Sequence, residues 1–419
     1  MEPIITSLLD NDSYNFKMSR TLWALKMEQM EVEYEFKCRS KIKLGYIIDE
    51  KDIDNQLRNL FSLTFTFNEL CYLATMYESE YCDYLMSTST YHIKYTLTCI
   101  DGELILNYRG PIGIAILYET PLLATINNLY YSAIMNHINI SNDMVVEKGC
   151  NNIRRVAETG AKFIEFGTRR RASLYKQAEI IKFASTQKGY LGTSNVLLSM
   201  KYGTKPMGTQ AHQWYMIHAA MEYSNILKDK LDPCKCTKSQ LYKIKERMII
   251  SQKQAMVNWA KVNEPTPLLT DTYGTDLFLD KILEKSFLPN ISGLRQDSGE
   301  TVYRVKQLLE YFEKLGVEKT VMASDGLTPD MINNLQKLAE EKRTNNIIYG
   351  WGTNLTFDGI IKPISIVIKP KAIWHNNMWS PCVKLSDNIN KATGTHEGII
   401  NIYKRIFNYS NNSSQETIY

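Results

Sequence analysis

A pattern of short apolar runs that recurs between about residues 151 and 357 constrains the fold of this chain more than any other feature. Each run is followed by glycine or small polar residues and usually then by a helical segment. Alternating strands, loops and helices predict parallel strands, and seven units in succession favour a barrel over an open sheet. The loops that follow the seven runs are residues 167–171, 192–195, 208–212, 271–274, 295–299, 324–326 and 350–353. In barrels of this kind, the loops after the strands build the active site.

The residues before and after the repeated units have other patterns. Residues 1–145 mix helical and strand signals, and the alternation on both sides of Asp101-Gly102 predicts a β-hairpin. Residues 228–263 interrupt the repeats with two helical segments, and residues 361–419 return to strand-like runs before a polar end. We therefore predict an N-terminal α+β domain (1–145), a (β/α) barrel (146–360) and a C-terminal segment (361–419).

The charge and composition of the chain favour an enzyme that handles anions. A formal net charge of +4 over 419 residues is small for a dedicated nucleic-acid binder, which needs a concentrated basic face. Residues 1–12 lack the basic start of a secretory signal, and the apolar stretch 112–124 is broken by Glu119 and Pro121. The eight cysteines are scattered, which disfavours a metal site. We predict a cytoplasmic protein with no metal site built from its own side chains and no nucleic-acid or membrane partner.

Several predicted loops carry groups suited to phosphates or sugars, although each also has an ordinary structural explanation. Gly350-Trp-Gly-Thr353 offers N–H groups and a hydroxyl to a phosphate monoester, or is a plain turn. Ser324-Asp-Gly326 precedes a helix, where a carboxylate can hold ribose hydroxyls. Arg169-Arg-Arg171 at a helix start opposes the macrodipole, and a bound anion would relieve that conflict. Arg295 and Asp297 can bind substrate or form a structural salt bridge.

His212, in the loop Gly208-Thr-Gln-Ala-His212, is the histidine whose context most suggests chemistry. The sequence contains no Walker motif, no GxGxxG and no HExxH. A phosphoryl acceptor needs a neutral imidazole whose other nitrogen is held by an acceptor, commonly a carboxylate. Asp271, at the end of the next predicted strand, can supply that carboxylate. The alternative is a structural histidine with satisfied hydrogen bonds at a helix start.

Taken together and in this order, the loops closely resemble those of the nicotinate phosphoribosyltransferase family. The strings that carry the resemblance span almost the whole chain: Ser7-Leu-Leu-Asp-Asn-Asp-Ser-Tyr14, Phe166-Gly-Thr-Arg-Arg-Arg171, Gly192-Thr-Ser-Asn195, Met207-Gly-Thr-Gln-Ala-His212, Asp297-Ser-Gly299 and Lys384-Leu-Ser-Asp387. The resemblance implies an α/β fold: an irregular seven-unit (β/α) barrel, with an N-terminal α+β domain that the C-terminal tail completes.

The resemblance also implies an activity. Nicotinate would condense with 5-phosphoribosyl 1-pyrophosphate to give nicotinate mononucleotide and pyrophosphate, in the salvage route to NAD. ATP hydrolysis would stimulate this reaction, with Mg²⁺ as cofactor, so that the enzyme is classed as a ligase with glycosyltransferase chemistry. The resemblance further implies a homodimer.

Residue roles follow from the same resemblance. ATP would phosphorylate His212 transiently, with Asp271 orienting the ring. Tyr14 and Phe166 would sandwich the pyridine, with Tyr14 donated by the partner subunit, and Arg39 would reach pyrophosphate across the dimer. The other matching positions contact nicotinate (Thr209, Arg295), the phosphoribosyl donor (Arg169, Gly352, Thr353), the ribose hydroxyls (Asp325, Gly326) or the region of the pyridine nitrogen and ribose (Asp297).

The choice of base needs its own argument. Related enzymes that use nicotinamide carry an aspartate where this chain has Ser194, and that carboxylate would repel nicotinate. With Ser194 and Arg295 present, nicotinate is the predicted base, because an unmatched buried charge is costly. Nicotinamide use and a non-catalytic nucleotide-binding descendant of the fold are the alternatives. The sequence departs from the family pattern in a longer segment at 228–250 and in Gln296 and Asn354, where basic or histidine-like residues are common.

Overall fold

The computed structural model describes residues 2–88, 93–138, 140–356 and 363–409. The predicted boundary near residue 360 and the polar end of the chain lie outside these ranges. The helices are α1 Ser13–Ala24, α2 Glu50–Ser62, α3 Phe67–Leu73, α4 Ser79–Ser87, α5 Ile112–Ala115, α6 Glu119–Ile138, α7 Asn142–Ala157, α8 Leu174–Ala184, α9 Val196–Tyr202, α10 His212–Lys228, α11 Lys238–Ala260, α12 Thr275–Leu277, α13 Thr301–Leu315, α14 Pro329–Glu341, α15 Thr353–Thr356 and α16 Glu397–Phe407. The strands are β1 Glu31–Cys38, β2 Lys94–Ile100, β3 Glu103–Pro111, β4 Lys162–Glu165, β5 Tyr190–Thr193, β6 Pro267–Leu269, β7 Gly293–Gln296, β8 Thr320–Ala323, β9 Ile347–Trp351, β10 Ile366–His375 and β11 Met378–Pro381.

Six of the seven predicted apolar runs form one parallel sheet in the order β5-β4-β9-β8-β7-β6. The predicted α/β class with parallel strands is therefore confirmed. The remaining run makes a single parallel bridge, between Pro206 and Thr193, instead of a strand. Proline has no N–H group to donate to a ladder, which explains why pairing stops there. The closed seven-unit barrel is not confirmed, because the described residues form a six-stranded sheet.

A second, antiparallel sheet has the order β11-β10-β1-β3-β2. The predicted hairpin is β2 and β3, and its turn residues Asp101 and Gly102 have φ values of 50° and 79°, as a tight hairpin turn requires. The C-terminal segment supplies β10 and β11, and β10 pairs with β1 over most of its length. The two ends of the chain therefore build this sheet jointly.

The helical stretch Ile112–Ile138 is long and apolar enough to cross a membrane by length and composition alone. It is a core element, however, because 94% of its most apolar window is buried inside the protein. Glu119 within it is 1% exposed, and its carboxylate accepts a 2.7 Å hydrogen bond from the Lys369 ammonium. A buried, ion-paired carboxylate and protein contacts on all sides are typical of a central helix in a globular fold.

A separate apolar cluster joins the 228–263 region to the end of the chain. We call it the tail core. Its buried members come from α10, α11, α16, the loop after β6 and the segment after β11, and include Tyr223, Ile226, Ile244, Met248, Tyr273, Val383, Leu385, Ile399, Tyr403, Ile406 and Phe407. The segment after β11 contributes Val383 and Leu385 to the tail core, and the Leu385 N–H donates to the carbonyl of Thr272, which follows β6, at 2.9 Å. The C-terminal tail therefore does more than complete the antiparallel sheet, because it also returns to the sheet that carries the predicted site.

Candidate active site

The predicted site residues lie at one edge of the parallel sheet, where all six strands have their carboxyl ends. In sheet order, they follow the strands as Ser194 (β5), Phe166 (β4), Gly352 and Thr353 (β9), Asp325 and Gly326 (β8), Asp297 (β7) and Asp271 (β6). Backbone bonds hold neighbouring loops together: the Phe166 N–H donates to the Trp351 carbonyl at 2.9 Å, and the Ser194 N–H donates to the Glu165 carbonyl at 2.8 Å. The sheet thus brings together residues that are far apart in the sequence.

Arg295 is the centre of the hydrogen-bond network at this edge. Its guanidinium donates to the Thr209 hydroxyl at 2.9 Å, the Ser324 hydroxyl at 2.8 Å and the Asp297 carboxylate at 2.9 Å. The guanidinium carbon lies 5.3 Å from the centre of the Phe166 ring, within cation–π range. Three bonds use three of the five N–H donors of an arginine. Arg295 is therefore fixed in orientation and, among the described residues, keeps donors for a ligand anion.

His212 lies at the start of α10, and both of its ring nitrogens have neighbours. Nδ1 is 3.0 Å from the Thr272 hydroxyl, while Nε2 is 3.0 Å from the Asp297 carboxylate and 2.8 Å from the Lys384 ammonium. Burial, followed by the charge of Lys384, lowers the pKa of His212 to about 4. The imidazole is therefore neutral at physiological pH, which is the form that a phosphoryl acceptor requires.

Asp271 lies beside the imidazole of His212, on the side of Nε2. Its Oδ1 is 3.6 Å from Nε2 of His212, whereas Thr272 is the neighbour of Nδ1. The other oxygen, Oδ2, accepts a hydrogen bond from Ser298 and lies 3.6 Å from the Lys384 ammonium. Burial acts to raise the pKa of Asp271, but His212 and Lys384 hold it below its ordinary value. Asp271 therefore lies on the Nε2 side of the ring, and Thr272, the next residue in the chain, lies beside Nδ1.

Two lysines of the tail, Lys384 and Lys391, also reach this edge, and the sequence analysis gave neither a role. Lys384 is 5% exposed, and its ammonium lies beside His212 and Asp271. Burial lowers the pKa of Lys384 to about 8. The Lys391 ammonium donates to the Asp325 carboxylate at 2.5 Å. The string Lys384-Leu-Ser-Asp387 was a signal for part of this segment, but sequence spacing could not place it opposite His212.

The arginine triplet divides into one site residue and two structural ones. Arg170 donates to the Ile364 carbonyl at 2.6 Å, and the fully buried Arg171 forms an ion pair with Asp10. No hydrogen bond from the Arg169 guanidinium is found among the described residues, although Tyr14, Glu119, Asp297 and Asp12 surround it and raise its pKa against the effect of burial. The triplet lies on a short 3₁₀ turn, and α8 begins later, after the capping residue Ser173. The expected helix start at the triplet is therefore wrong, while an anion site at Arg169 remains available.

Tyr14 and Arg39 lie beside the site of their own chain, whereas the resemblance implied that a partner subunit donates them. Ser13, the first residue of α1, donates its N–H to the Ser194 carbonyl at 2.7 Å, which brings Tyr14 to this edge. The Tyr14 hydroxyl is 3.2 Å from that of Thr120. Arg39 follows β1 and donates to the Lys391 carbonyl at 3.0 Å. Pairing of β1 with the C-terminal segment brings these parts of one chain together.

Ser194 is buried, and a carboxylate lies directly behind it. Its hydroxyl donates to Asp12 at 2.6 Å, and the Thr120 hydroxyl is 3.3 Å from the other oxygen of Asp12. Burial raises the pKa of Asp12. The argument for nicotinate from the serine alone is therefore incomplete, because replacing aspartate by serine at position 194 does not remove every carboxylate from this corner.

This geometry changes the expected effect of Ser194→Asp. A second carboxylate within hydrogen-bond distance of Asp12 cannot ionise alongside it, since both are buried. We expect S194D to lower the free energy of unfolding by about 2 kcal/mol and to lower kcat/KM for nicotinate by about tenfold. The double variant S194D/D12S moves the carboxylate from position 12 to position 194 and leaves one carboxylate in this corner. It should recover most of the lost stability. Thermal unfolding and kinetics with both bases test this; an S194D protein as stable as the unaltered chain would contradict it.

Gln296 and Asn354, which depart from the family pattern, join neighbouring loops. The Asn354 side chain donates to the Leu327 carbonyl at 2.8 Å, which ties the loop after β9 to the loop after β8. Gln296 is 2% exposed, and its side chain donates to the Ser298 carbonyl at 3.2 Å. Both residues support the loops instead of offering charge to a ligand.

The described residues contain no group of three or more His, Cys, Asp or Glu side chains that could hold a metal ion. Three carboxylates at the site already have a cationic neighbour: Asp297 has Arg295, Asp325 has Lys391 and Asp271 has Lys384. These residues do not fit a resident Mg²⁺ ion. A cavity of about 450 Å³, lined in part by Phe61 and Tyr95, lies in the N-terminal part of the chain and shares no residue with the site.

Comparisons with known proteins agree with the geometry. The family model described as the nicotinate phosphoribosyltransferase (NAPRTase) family matches residues 161–411, and the model of the NAPRTase N-terminal domain matches residues 9–127. The chain is 31% identical over 406 residues to nicotinate phosphoribosyltransferase of Yersinia enterocolitica, covering 93% of this chain and 92% of that one. It is 29% identical over 423 residues to the enzyme of that name from Desulforapulum autotrophicum, covering 96% and 98%. The crystal structure of nicotinate phosphoribosyltransferase from Porphyromonas gingivalis superposes with a TM-score of 0.78 at 26% identity, covering 97% of this chain and 100% of that one.

Proposed function

Because the chain belongs to the nicotinate phosphoribosyltransferase family, we propose that it condenses nicotinate with 5-phosphoribosyl 1-pyrophosphate, giving nicotinate mononucleotide and pyrophosphate for NAD salvage. One observation carries the proposal. An oriented arginine, Arg295, lies over the Phe166 ring, beside the Asp297 carboxylate and on the same edge as Arg169 and Asp325. This arrangement offers a place for a flat anionic ring next to places for a sugar and its phosphates.

The pyridine ring of nicotinate is proposed to stack on Phe166, with its carboxylate on the remaining N–H donors of Arg295. A planar guanidinium suits a carboxylate because two parallel hydrogen bonds can form. Glycine at 350 is needed for the Phe166 ring to lie where it does, since an added Cβ would come within 2.6 Å of that ring. Tyr14 of the same chain is proposed as the second aromatic wall.

Bond making and breaking take place at C1 of the ribose. The pyridine nitrogen supplies the electron pair for the new N–C bond, and the C–O bond to pyrophosphate breaks with its electrons leaving on oxygen. Positive charge that develops on the sugar is stabilised by Asp297, and negative charge on pyrophosphate by Arg169 and Lys391. Burial alone would raise the pKa of Asp297, but Arg295 and His212 hold it well below its ordinary value, so the carboxylate is ionised.

ATP coupling is proposed to act through phosphorylation of His212. The imidazole is neutral, so one ring nitrogen keeps a lone pair for the γ-phosphoryl group, and the Lys384 ammonium, 2.8 Å from Nε2, can neutralise charge on the transferred group. The phosphorylated form would favour the substrate-binding conformation and relax after turnover, which is a shift of population and not a step in N–C bond formation. Asp271 then acts by holding Lys384 and the Nε2 side of the ring.

The ATP-stimulated rate is expected to fall as the pH rises through about 8, because Lys384 is charged only below its lowered pKa. In Lys384→Arg the rate at neutral pH should be lower. Because the guanidinium stays protonated, however, the fall in rate at alkaline pH (the alkaline limb of the profile) should disappear. Rate profiles across the neutral and alkaline range with saturating ATP test this, with the exposed Lys51→Arg as control. The same alkaline limb in K384R and in the unaltered protein would contradict the role of Lys384.

Three further features belong to the proposal. Mg²⁺ is proposed to arrive chelated by the phosphates of ATP and of the sugar donor, since no side-chain site among the described residues fits it. A cytoplasmic location without membrane or nucleic-acid partners, and assembly as a homodimer, stay predictions. With Tyr14 and Arg39 beside the site of their own chain, such a dimer would not be needed to complete the active site.

Nicotinamide is the second candidate base, because the Asp12 carboxylate behind Ser194 could accept from an amide. Product analysis by mass spectrometry, with each base supplied separately, with and without ATP, tests both candidates. The proposal expects nicotinate mononucleotide as the main product and faster formation with ATP. Preferential conversion of nicotinamide would reverse the choice of base, and no product with either base would support a non-catalytic descendant.

A further inference from the structure

Glu165, the last residue of β4, is a fully buried carboxylate that lies between two loops of the proposed base-binding pocket. One oxygen accepts from the Gly167 N–H at 2.5 Å and from the Gln177 side chain at 3.0 Å. The other accepts from the Thr193 hydroxyl at 2.5 Å and from the same Gln177 amide at 3.1 Å. Gly167 follows Phe166 in the chain, and Thr193 precedes Ser194.

The surroundings of Glu165 explain why an acceptor is needed there. Three buried donors form hydrogen bonds to the carboxylate: the Gly167 N–H, the Gln177 amide and the Thr193 hydroxyl. A buried donor without an acceptor is destabilising. Burial, and to a smaller extent the charge of Asp12, raises the pKa of Glu165 to about 7. A carboxylate occupies this unfavourable place and has all its neighbouring donors satisfied, which fits a network whose members fix a functional geometry.

We propose that Glu165 is a positioning residue that sets the width of the nicotinate pocket by fastening the Phe166 loop to the Ser194 loop. It does not touch the reacting atoms. It acts through Gly167 on the plane of the Phe166 ring, and through Thr193 on Ser194 and its contact with Asp12. The proposal deepens the proposed function and rests on it for the identity of the bound base.

The test is Glu165→Gln, which keeps the shape of the side chain but turns one oxygen into a donor facing the Gln177 amide. We expect KM for nicotinate to rise about tenfold while kcat and KM for the phosphoribosyl donor change less than about twofold. Amide hydrogen exchange should become about tenfold faster at residues 166–168 and 193–195 only. Glu158→Gln, the same chemical change away from the site, should leave every quantity unchanged.

Rescue separates positioning from general stability. In E165Q/Q177E the carboxylate moves to position 177, where it accepts from the amide introduced at position 165 and from Arg171, which already donates to Gln177 at 2.8 Å. The double variant should regain KM for nicotinate to within about threefold of the unaltered value. If E165Q does not fold, Thr193→Val removes one donor and leaves the carboxylate, and it should raise KM for nicotinate in the same selective way.

The two readouts also separate this proposal from the proposed function. Suppose that the unaltered protein makes no nicotinate mononucleotide, but that E165Q shows faster amide exchange confined to the two loops. That result would support the positioning role of Glu165 and reject the proposed function. In an active enzyme, an unchanged KM for nicotinate in E165Q would overturn the role of Glu165. So would a parallel fall in kcat, in affinity for both substrates and in thermal stability that E165Q/Q177E does not rescue.

Discussion

Replacing Asp297 with asparagine is expected to lower kcat for nicotinate mononucleotide formation by about a thousandfold, the largest effect of any single change at this site. The Asp297 carboxylate contacts the Arg295 guanidinium at 2.9 Å, Nε2 of His212 at 3.0 Å and the Ser324 hydroxyl at 2.8 Å. Asparagine keeps the size of the side chain, so the protein should fold, but it removes the negative charge that faces the sugar. Without that charge, positive charge at C1 develops unopposed beside Arg295.

Steady-state rates with saturating substrates measure this effect. Asp330→Asn is the matched control, because the Asp330 side chain is 82% exposed and its ion-pair partner Arg155 is 57% exposed. D330N should retain the rate of the unaltered enzyme within about twofold. A D297N enzyme with a kcat within about tenfold of the unaltered value would show that Asp297 only orients Arg295.

His212→Ala is expected to abolish stimulation by ATP while leaving a slow, ATP-independent formation of nicotinate mononucleotide. The imidazole is neutral and faces Lys384, and its hydrogen-bond neighbours are Thr272, Asp297 and Lys384. Coupling through a covalent intermediate should therefore be lost entirely, whereas the bond-forming groups Arg295 and Asp297 remain. If ATP stimulates the unaltered enzyme about tenfold or more, the H212A rate should match the unaltered rate without ATP.

Transfer of radioactive phosphate from the γ position of ATP tests the same point chemically. The unaltered protein should carry acid-labile, base-stable label, as expected of a phosphohistidine, and H212A should carry none. His375→Ala serves as the control, because His375 lies on β10, within hydrogen-bond distance of the Ser224 hydroxyl and away from the carboxyl edge of the parallel sheet. Undiminished labelling of H212A, or persistent ATP stimulation, would contradict the assignment.

The parallel strands were predictable because their signals are local. Runs such as the one that includes Glu165 are short, apolar and followed by glycine, so their type and direction can be read from neighbouring residues. Parallel strands in one sheet share a carboxyl edge, and for this reason Phe166, Asp297 and Asp325 could be expected to lie close together. The hairpin turn at Asp101-Gly102 was equally local.

The remaining contacts join segments that no local pattern relates. Lys384 meets His212 across 172 residues, and Asp12 meets Ser194 across 182. The place of Tyr14 depends on the contact of α1 with the Ser194 loop, which joins residues about 180 apart and which the sequence does not encode as a motif. The strand predicted at Pro206 does not form, for a local reason. Hydrophobic character favours a strand, but proline has no N–H to donate, so the ladder cannot continue beyond one bridge.

The account depends on a single site in which one chain holds the base and the sugar phosphate at the carboxyl edge of the parallel sheet. A crystal structure of the protein with nicotinate mononucleotide tests this most directly. The pyridine should stack on Phe166 with its carboxylate on Arg295, the ribose should reach Asp325, and Tyr14 beside the ring should belong to the same chain. A nucleotide bound elsewhere, for example in the cavity lined by Phe61 and Tyr95, with the Arg295 guanidinium still directed only to protein groups, would contradict it.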